Sequence, residues 1–275
     1  MRGDAMIRDA ERAGRSKSNV APTADPPLVR LERVGKRFGA GLPVLDGIEF
    51  AVQRGEFVSF IGPSGCGKST LLRLIAGLTE PTAGRIVVDG MTPANAREEV
   101  FFVFQDANLL PWERVAENVG LPLMLRGDPV EKRRQRVGEM LDLVGLAAAA
   151  EKYPWQLSGG MRMRASIARA LSVAPDILLL DEPFGALDEM TRDQLNEDLL
   201  AIRERDPFTA FFVTHSVAEA VFLSTRIVVL AANPGRVHQI IEVPFAYPRR
   251  PELRETMEFL NLLAETSRAL RLVRP

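Results

Sequence analysis

The stretch that decides the fold of this chain is Gly62-Pro63-Ser64-Gly65-Cys66-Gly67-Lys68-Ser69-Thr70. It fits the pattern G-x-x-x-x-G-K-[ST], in which small residues let backbone N–H groups curl around phosphate oxygens. The residues before it, Glu56–Ile61, predict a strand, and a helix is predicted after it as far as Ala76, with Gly77 as its C-terminal cap. The N-terminus of that helix adds a partial positive charge. The stretch therefore predicts a loop that holds the phosphates of a nucleotide.

Two side chains of this loop have predicted roles in nucleotide binding. Lys68 is expected to reach the β- and γ-phosphates, and the hydroxyl of Ser69 is expected to ligate Mg²⁺. The alternative is a glycine-rich turn that contains a lysine by chance. The predicted strand before the loop and the predicted helix after it favour the nucleotide interpretation.

Cys66 lies inside the same loop and has two interpretations. It is either a small residue that merely fits, or a thiol whose pKa is lowered by the helix N-terminus. The second interpretation predicts that nucleotide binding is sensitive to oxidation or alkylation. We hypothesise chemical sensitivity without a regulatory role.

A second motif follows the wholly apolar strand predicted at Ile177–Leu180, where the chain continues with Asp181 and Glu182. Side chains at the carboxyl end of a strand in an open α/β sheet point into the ligand crevice. Asp181 can hold Mg²⁺ through water, and Glu182 is placed to polarise an attacking water. The alternative, two solvated acids in a loop, is disfavoured by the four apolar residues directly before them.

Strands and helices alternate along most of the chain. Further strands are predicted at Leu28–Val34, Ile48–Val52, Gly84–Val88, Val100–Phe104 and Thr209–Val213. Helices are predicted at Met161–Leu171, at Glu189–Arg205, around Glu252–Leu272, and within residues 106–157, where Val137, Met140, Leu141 and Val144 have helical spacing. Such alternation implies a mostly parallel sheet covered by helices.

Composition excludes several classes of protein. The 275 residues include 35 Lys and Arg against 36 Asp and Glu, so no global positive field exists to hold nucleic acid or anionic lipid. A single cysteine excludes an intrachain disulfide framework and a cysteine-cluster zinc site. Apolar runs such as Ile227–Ala232 are too short to span a membrane. A soluble protein is expected.

The N-terminal residues 1–27 lack the apolar core of a secretory signal and are predicted to be a flexible tail. Their arginines would also fit an organelle transit peptide, but Asp4, Asp9 and Glu11 disfavour that alternative.

The stretch Leu157-Ser158-Gly159-Gly160, followed by Met161, resembles the signature motif of the ATP-binding cassette (ABC) ATPases. Other motifs follow in that family's order: Gln105 resembles the Q-loop glutamine, Gly185-Ala186-Leu187-Asp188 the D-loop, His215 the switch histidine, and Phe38 the aromatic that stacks on adenine. The resemblance covers about residues 28–245. Its one departure in the signature is Met161, where many relatives carry Gln.

Each of these assignments has an alternative. Phe38 also fits an ordinary core aromatic, and His215 a loop histidine with satisfied hydrogen bonds. Gln105 is a candidate Mg²⁺ ligand and sensor only by its position. Ser158 precedes a predicted helix, so its hydroxyl and the helix N-terminus would face an anion. No motif surrounds His238, for which no functional role is predicted.

The resemblance implies an α/β fold, a P-loop NTPase ABC cassette with a RecA-like core, an antiparallel β subdomain and a helical subdomain. It implies a cassette over residues 28–245, a helical subdomain at about 106–160 and a C-terminal helical extension over 246–275. It also implies ATP and Mg²⁺ as cofactors, with Glu182 as base and His215 supporting the γ-phosphate. The nucleotide-binding residues it implies are the loop Gly62–Thr70 with Phe38, Gln105, Ser158, Gly159, Gly160 and Asp188, and the metal ligands are Ser69, Gln105 and Asp181.

The resemblance further implies an assembly. Two cassettes of the family face head to tail, and each ATP lies between the phosphate loop of one subunit and the Ser158–Gly160 segment of the other. The implied partners are a second copy of the chain and separate transmembrane permease subunits, whose coupling helix enters a groove beside the Q-loop. The implied location is peripheral, on the cytoplasmic face of the inner membrane, with no nucleic-acid partner.

Finer resemblance points to the nitrate/sulfonate/taurine importer branch, which also uses an extracytoplasmic substrate-binding protein. It rests on Gly160–Arg164, on Asn108–Trp112 and on the region from Phe222-Leu223-Ser224 through Asn233–Val237. The alternative function is that of a soluble ABC ATPase with mechanical or regulatory work, although such proteins typically carry a long coiled-coil insertion or two cassettes. For the C-terminal helix, packing on the cassette or its mate is favoured over an inhibitory role.

Overall fold

The structure of the protein is a computed structural model that describes residues 26–185 and 187–273. Most of the predicted N-terminal tail, residues 1–25, lies outside the described residues, as does Ala186. The strands within these ranges are β1 Val29–Arg37, β2 Pro43–Val52, β3 Phe57–Ile61, β4 Ala83–Val88, β5 Val100–Val103, β6 Ile177–Asp181, β7 Thr209–Val213, β8 Arg226–Ala231 and β9 Arg236–Glu242. The helices are α1 Lys68–Ile75, α2 Val115–Leu125, α3 Val130–Leu143, α4 Gly159–Ser172, α5 Glu189–Arg205, α6 Val217–Leu223 and α7 Met257–Leu272.

The central sheet has the strand order β5-β6-β7-β3-β8-β9. Its first five strands are parallel, and β9 pairs antiparallel with β8. The mostly parallel sheet covered by helices is therefore confirmed, whereas β8, β9 and α6 were not among the predicted elements. Because β3, β6 and β7 are parallel neighbours, the segments that follow Ile61, Asp181 and Val213 emerge at one edge.

Alternate residues of the central strands enter two separate hydrophobic clusters. In β3, for example, Phe57 and Ile61 pack with helices α4 to α7, while Val58 and Phe60 pack with α1 and the second sheet. A strand buried on both faces reads as a continuous apolar run, which is why β6 was visible in the sequence.

The second sheet is antiparallel, with the order β2-β1-β4. β1 and β2 extend beyond the predicted Leu28–Val34 and Ile48–Val52, because register shifts between Leu31 and Arg37 interrupt the alternation that marks a strand. The tip of this sheet is tied to the central sheet at Gly235, whose N–H donates to Val44 O at 2.8 Å and whose carbonyl accepts from Asp46 N at 2.9 Å.

Helices α2, α3 and α4 pack together beyond the edge strand β5. Asn118 on α2 is fully buried, and its side chain accepts from Leu110 N at 2.7 Å and donates to the carbonyls of Leu110, Glu113 and Arg114. One amide thus fixes the loop between Gln105 and α2. Helix α4 begins at Gly159 instead of Met161, because the Ser158 side chain caps it by accepting from Met161 N.

The final helix begins later than predicted. Residues Pro251–Glu255 form a 3₁₀ turn, and Thr256 caps α7 by accepting from Phe259 N. The helix packs on α6 through its buried residues Phe259, Leu262, Thr266 and Ala269. Its contacts agree with the packing interpretation of this helix. Within residues 26–185 and 187–273, no helix combines the length and apolar character that a membrane span requires.

Candidate nucleotide-binding site

The predicted phosphate loop runs from the end of β3 to the start of α1. Gly65 and Gly67 adopt φ angles of 78° and 97°, a region that favours glycine. At Gly67 a β-carbon would also lie 2.5 Å from Leu45 Cδ2, so the loop needs glycine here for both conformation and space. The first backbone N–H groups of α1 have no partner within the helix and no side-chain cap, so they are available to an anion.

Lys68 lies at the first position of α1 and is 5% exposed. Its ammonium donates to the carbonyls of Gly62 at 3.0 Å and Pro63 at 3.2 Å. No carboxylate in the described part of the chain lies within ion-pairing distance of it. The loop thus presents a positive charge whose hydrogen bonds go to backbone carbonyls, beside a cleft lined by Ser64, Gly65, Gly67, Ser69, Thr70, Glu182 and His215.

Behind the loop, the hydroxyl of Ser69 donates to Asp181 Oδ1 at 2.8 Å. Asp181 ends β6 and is mostly buried. Burial raises the pKa of its carboxyl above the usual value, and the hydrogen bond from Ser69 opposes that rise. A hydroxyl and a carboxylate side by side are the hard oxygen donors that Mg²⁺ prefers.

Glu182 follows directly and turns away from the strand. Its φ is 49°, a conformation uncommon for a residue with a side chain, and its N–H donates to Val213 O at 3.0 Å. Its Oε1 lies 2.7 Å from His215 Nε2. Backbone strain of this kind persists where surrounding contacts impose it, and here it aims the carboxylate at the histidine.

The turn that carries His215 is held on both sides. The Thr214 hydroxyl accepts from Ser216 N at 2.9 Å and donates to Glu219. Ser216 in turn caps α6 by accepting from Glu219 N at 3.3 Å. His215 itself is half-exposed, so it faces the cleft while its neighbours are fixed. The alternative of a histidine with no role beyond the loop is disfavoured by its contact with Glu182.

Gln105 lies two residues after β5 and is exposed. It lines a second cleft together with Glu182, Gly185 and His215, and this cleft shares Glu182 and His215 with the phosphate cleft. The structure therefore brings five predicted elements together: the phosphate loop, Asp181, Glu182, His215 and Gln105.

The signature residues lie elsewhere in the chain. A β-carbon on Gly159 would meet Leu187 Cδ2 at 3.2 Å, and one on Gly160 would meet Thr191 Cγ2 at 2.9 Å, so this segment packs against the start of α5. Asp188 caps α5, accepting from Thr191 N at 2.9 Å, and hydrogen bonds from Thr191 lower the pKa of its carboxyl. Ser158, Gly159, Gly160 and Asp188 are not among the residues that line the phosphate cleft of the same chain.

Phe38 lies in the turn between β1 and β2 and is 55% exposed. Lys36 Nζ is 5.0 Å from the centroid of its ring. The exposure excludes the core-aromatic alternative. Val44 of the same hairpin lines the phosphate cleft, which places the turn on that side of the loop.

The prediction of a low-pKa thiol in the loop is wrong. Cys66 is fully buried, and burial raises the pKa of its thiol despite the nearby charge of Lys68. The partial charge of a helix end acts on a group at its mouth, whereas this side chain points inward to the cluster that contains Leu71 and Leu72.

Sequence reasoning missed three groups at this site. Arg192 and Glu219 line the cleft of Gln105 and His215, and Gly235 closes on the phosphate loop from outside. Arg192 stands four residues after Asp188, and Glu219 stands four residues after His215. This helical spacing was the available signal that each residue lies near the predicted one. Gly235 lies within the stretch Asn233–Val237, and the sequence indicated no structural role for it.

The sequence pattern of the ABC transporter family matches residues 45–185. The aliphatic sulfonates import ATP-binding protein SsuB of Bacillus cereus is 45% identical over 224 residues, covering 80% of this chain and 88% of that protein. The taurine import ATP-binding protein TauB of Pseudomonas entomophila is 46% identical over 219 residues, covering 79% and 85%. A solved dimeric ATP-binding cassette in a post-hydrolysis state, bound to ADP and Pi, aligns with a TM-score of 0.70 at 35% identity, covering 79% of this chain and 100% of that one.

These similarities run through the region that carries the phosphate loop, Asp181 and Glu182. The family pattern alone matches more than half of the chain, and the relatives align along most of their own length. The chain belongs to the ABC transporter family.

Proposed function

We propose that this protein is the ATP-hydrolysing subunit of an importer for a small solute, a sulfonate, taurine or nitrate type of anion or a related molecule. The observation that carries the proposal is the Glu182–His215 pair, with its 2.7 Å contact, at the mouth of a phosphate loop whose lysine has no carboxylate partner among the described residues. That constellation serves hydrolysis of a terminal phosphate. The relatives named as import ATP-binding proteins support the coupling to import.

In hydrolysis, Glu182 accepts a proton from the water that attacks the γ-phosphorus, and the products are ADP and phosphate. His215 holds Glu182 in place and supports the γ-phosphate, where negative charge accumulates. Lys68 turns from the carbonyls of Gly62 and Pro63 to the β- and γ-phosphate oxygens, which are stronger acceptors. Every residue in this scheme lines or adjoins the same cleft.

The residues that would hold Mg²⁺ are Ser69 and Asp181, together with Gln105 from the adjoining cleft. Their oxygen donors and the 2.8 Å contact between the first two fit a hard divalent cation. The ion supplies charge neutralisation for the β- and γ-phosphate oxygens.

We infer that the active form is a homodimer. Ser158–Gly160 pack against the start of α5 and not against the phosphate loop of their own chain. A second copy facing head to tail can place these residues on the ATP that the first copy holds. The solved dimeric cassette bound to ADP and Pi supports the formation of a dimer.

The surface offered to the permease is an exposed aromatic face, defined by Trp112 and Trp155. The ring of Tyr153 stacks on Trp155 with centroids 4.5 Å apart, and Arg114 lies over Tyr153, which brings the segments around residues 112 and 155 together. Trp112 and Trp155 are 68% and 64% exposed. Large exposed aromatics of this kind mark protein interfaces. Binding there would hold the subunit on the cytoplasmic face of the inner membrane, below a permease fed by a substrate-binding protein.

The catalytic part of the proposal is tested by Glu182→Gln. The amide keeps the shape of the side chain but cannot accept the proton, so turnover is expected to fall at least about 100-fold while ATP binding stays within about two-fold. Released phosphate and the affinity for a fluorescent ATP analogue measure the two quantities. Glu189→Gln, an exposed glutamate at the start of α5, is the matched control. Turnover at the parent rate in Glu182→Gln would remove Glu182 from the role of base.

The transport part is tested by purifying the tagged chain from gently solubilised native membranes and identifying its partners by mass spectrometry. Recovery of a multi-span permease supports the importer. Recovery of soluble partners alone contradicts it and favours the alternative, a soluble ABC ATPase with mechanical or regulatory work.

A further inference from the structure

Glu219 is a buried carboxylate that the proposed hydrolysis does not use. It is 5% exposed and lies in the first turn of α6, four residues after His215. Burial raises the pKa of its carboxyl, and its partners oppose that rise. A carboxylate removed from water needs hydrogen bonds and an opposite charge, so the partners of Glu219 hold a defined geometry.

One partner is the residue just before His215. The Thr214 hydroxyl donates to Glu219 Oε2 and at the same time accepts from Ser216 N at 2.9 Å. The Thr214 hydroxyl therefore joins the residue after His215 to Glu219 on α6. Any shift of the Glu219 carboxylate moves the hydroxyl that fixes this turn, and with it the imidazole 2.7 Å from Glu182.

The other partner is Arg192 on α5. Its Nε lies 3.5 Å from Glu219 Oε1, and its Nη2 donates to Leu187 O at 2.9 Å. One guanidinium thus contacts both Glu219, whose carboxylate accepts from Thr214 in the turn of His215, and the carbonyl of Leu187. Arginine suits this position because its planar fork presents donors in several fixed directions.

The signature glycines pack against the start of α5 and against Leu187, the residue whose carbonyl Arg192 contacts. Leu187 Cδ2 faces Gly159, and Thr191 Cγ2 faces Gly160, at distances that leave no room for a β-carbon without a shift. Contacts therefore run without interruption from the signature residues through Leu187, Arg192, Glu219 and Thr214 to His215.

We propose that Arg192 and Glu219 are positioning residues, which orient His215 for hydrolysis and make its position depend on the placement of the Leu187–Asp188 segment. This inference rests on the proposed ATPase function. In the proposed dimer the signature residues contact the ATP of the partner subunit, so this pair links that event to the histidine that serves the chain's own ATP. The two ATP sites of the proposed dimer then hydrolyse ATP in a coordinated way instead of independently.

The test compares Arg192→Gln and Glu219→Gln with the parent, using Arg205→Gln, an exposed arginine on the same helix, as the control. We expect kcat to fall about ten-fold in each variant, while KM and the affinity for a fluorescent ATP analogue stay within about two-fold. Because the two groups act as one unit, the double variant should lose no more than either single variant. Arg192→Lys keeps the charge but not the fork, and we expect it to keep less than about half of the parent kcat.

A double-mutant cycle with His215→Ala distinguishes positioning of His215 from general stabilisation of the fold. In a His215→Ala background, followed with radiolabelled ATP, Arg192→Gln should reduce the residual rate less than about two-fold, because the residue that it positions is gone. An equal reduction in both backgrounds would indicate a structural role and overturn the inference. A parent-like kcat in folded Arg192→Gln would also overturn the inference. A parent-like kcat in Arg192→Lys would show that the contact of Arg192 with Leu187 is not needed. If the parent itself does not hydrolyse ATP, it is the proposed function that fails, a result distinct from all of these.

Discussion

Cys66 shows how burial overrides a favourable helix end at the scale of one residue. The thiol lies at the N-terminal side of α1, where the helix and Lys68 favour a thiolate, yet its complete burial raises its pKa. The thiolate is the reactive form, so a buried thiol with a raised pKa reacts slowly.

We therefore expect iodoacetamide to alkylate Cys66 at least about ten-fold more slowly in the native protein than in the urea-unfolded chain. Mass spectrometry of samples quenched over time measures both rates, and the single cysteine makes each spectrum unambiguous. Equal rates in the two states would mean that the loop opens readily in solution, and the structural account of Cys66 would be wrong.

Residues within a local motif could be assigned from the sequence, whereas pairs formed across the fold could not. Lys68, Ser69 and Asp181 sit in patterns whose spacing alone identifies them. The contact between Arg192 and Glu219 depends on how α5 packs beside α6, and neither residue stands in a pattern that names its partner. The inward direction of Cys66 was missed for the same reason, since the motif does not say which way a side chain of the loop points.

At the scale of elements, the β8–β9 hairpin acts as an external brace for the phosphate loop. A β-carbon on Gly235 would lie 2.2 Å from Cys66 O and 2.9 Å from Val44 O. Both are backbone atoms, which cannot move aside as a flexible side chain does. Gly235 also donates to Val44 O, so it joins the loop, the hairpin and the second sheet at one point.

We expect Gly235→Ala to lower the free energy of unfolding by about 2 kcal/mol and to weaken ATP binding, because the loop must shift to admit the methyl group. Gly138→Ala on α3 is the control, since nothing lies within 4 Å of its added β-carbon. It should raise the free energy of unfolding by about 0.5 to 1 kcal/mol, because alanine favours a helix over glycine. Urea unfolding and fluorescent-nucleotide titration measure both variants, and Gly235→Ala with parent values for both would refute the brace.

Elements with strong periodicity were predicted with accurate bounds, and those shaped by tertiary contacts were not. Helix α5 at Glu189–Arg205 and strand β7 at Thr209–Val213 have the bounds that the sequence predicted. Strand β9 is half-exposed and antiparallel, so its weak alternation gives little signal. The 3₁₀ turn at Pro251–Glu255 shortened the predicted last helix because Thr256, and not a residue near Glu252, caps it.

At the scale of the whole molecule, the central sheet separates the elements of the phosphate loop from the elements of the signature and of His215. One face packs against α1 and the second sheet, which carry the phosphate loop and the hairpin of Phe38. The other face packs against α4, α5, α6 and α7, which carry the signature residues and the turn of His215. The fold class could be predicted because apolar runs reveal a sheet buried on both faces. The relative placement of the signature could not, since it depends on a partner that the sequence implies only by resemblance.

The exposed aromatic face, Trp112 and Trp155, does not line the phosphate cleft or the cleft of Gln105. If this face binds the permease, its removal should separate assembly from catalysis. We expect Trp112→Ala to leave the turnover of the isolated subunit within about two-fold of the parent, because the residue lines neither cleft of the site, and to lose most of the permease that co-purifies from membranes.

Met257→Ala is the control for this last prediction, because Met257 is another large exposed apolar residue, at the start of α7 on a different surface. It should retain the permease at the parent level. Retention in both variants would exclude Trp112 from the interface, whereas loss in both would indicate that any exposed apolar truncation disturbs the complex. Loss in Trp112→Ala alone, with turnover intact, would establish that the aromatic face binds the permease and is not needed for hydrolysis itself.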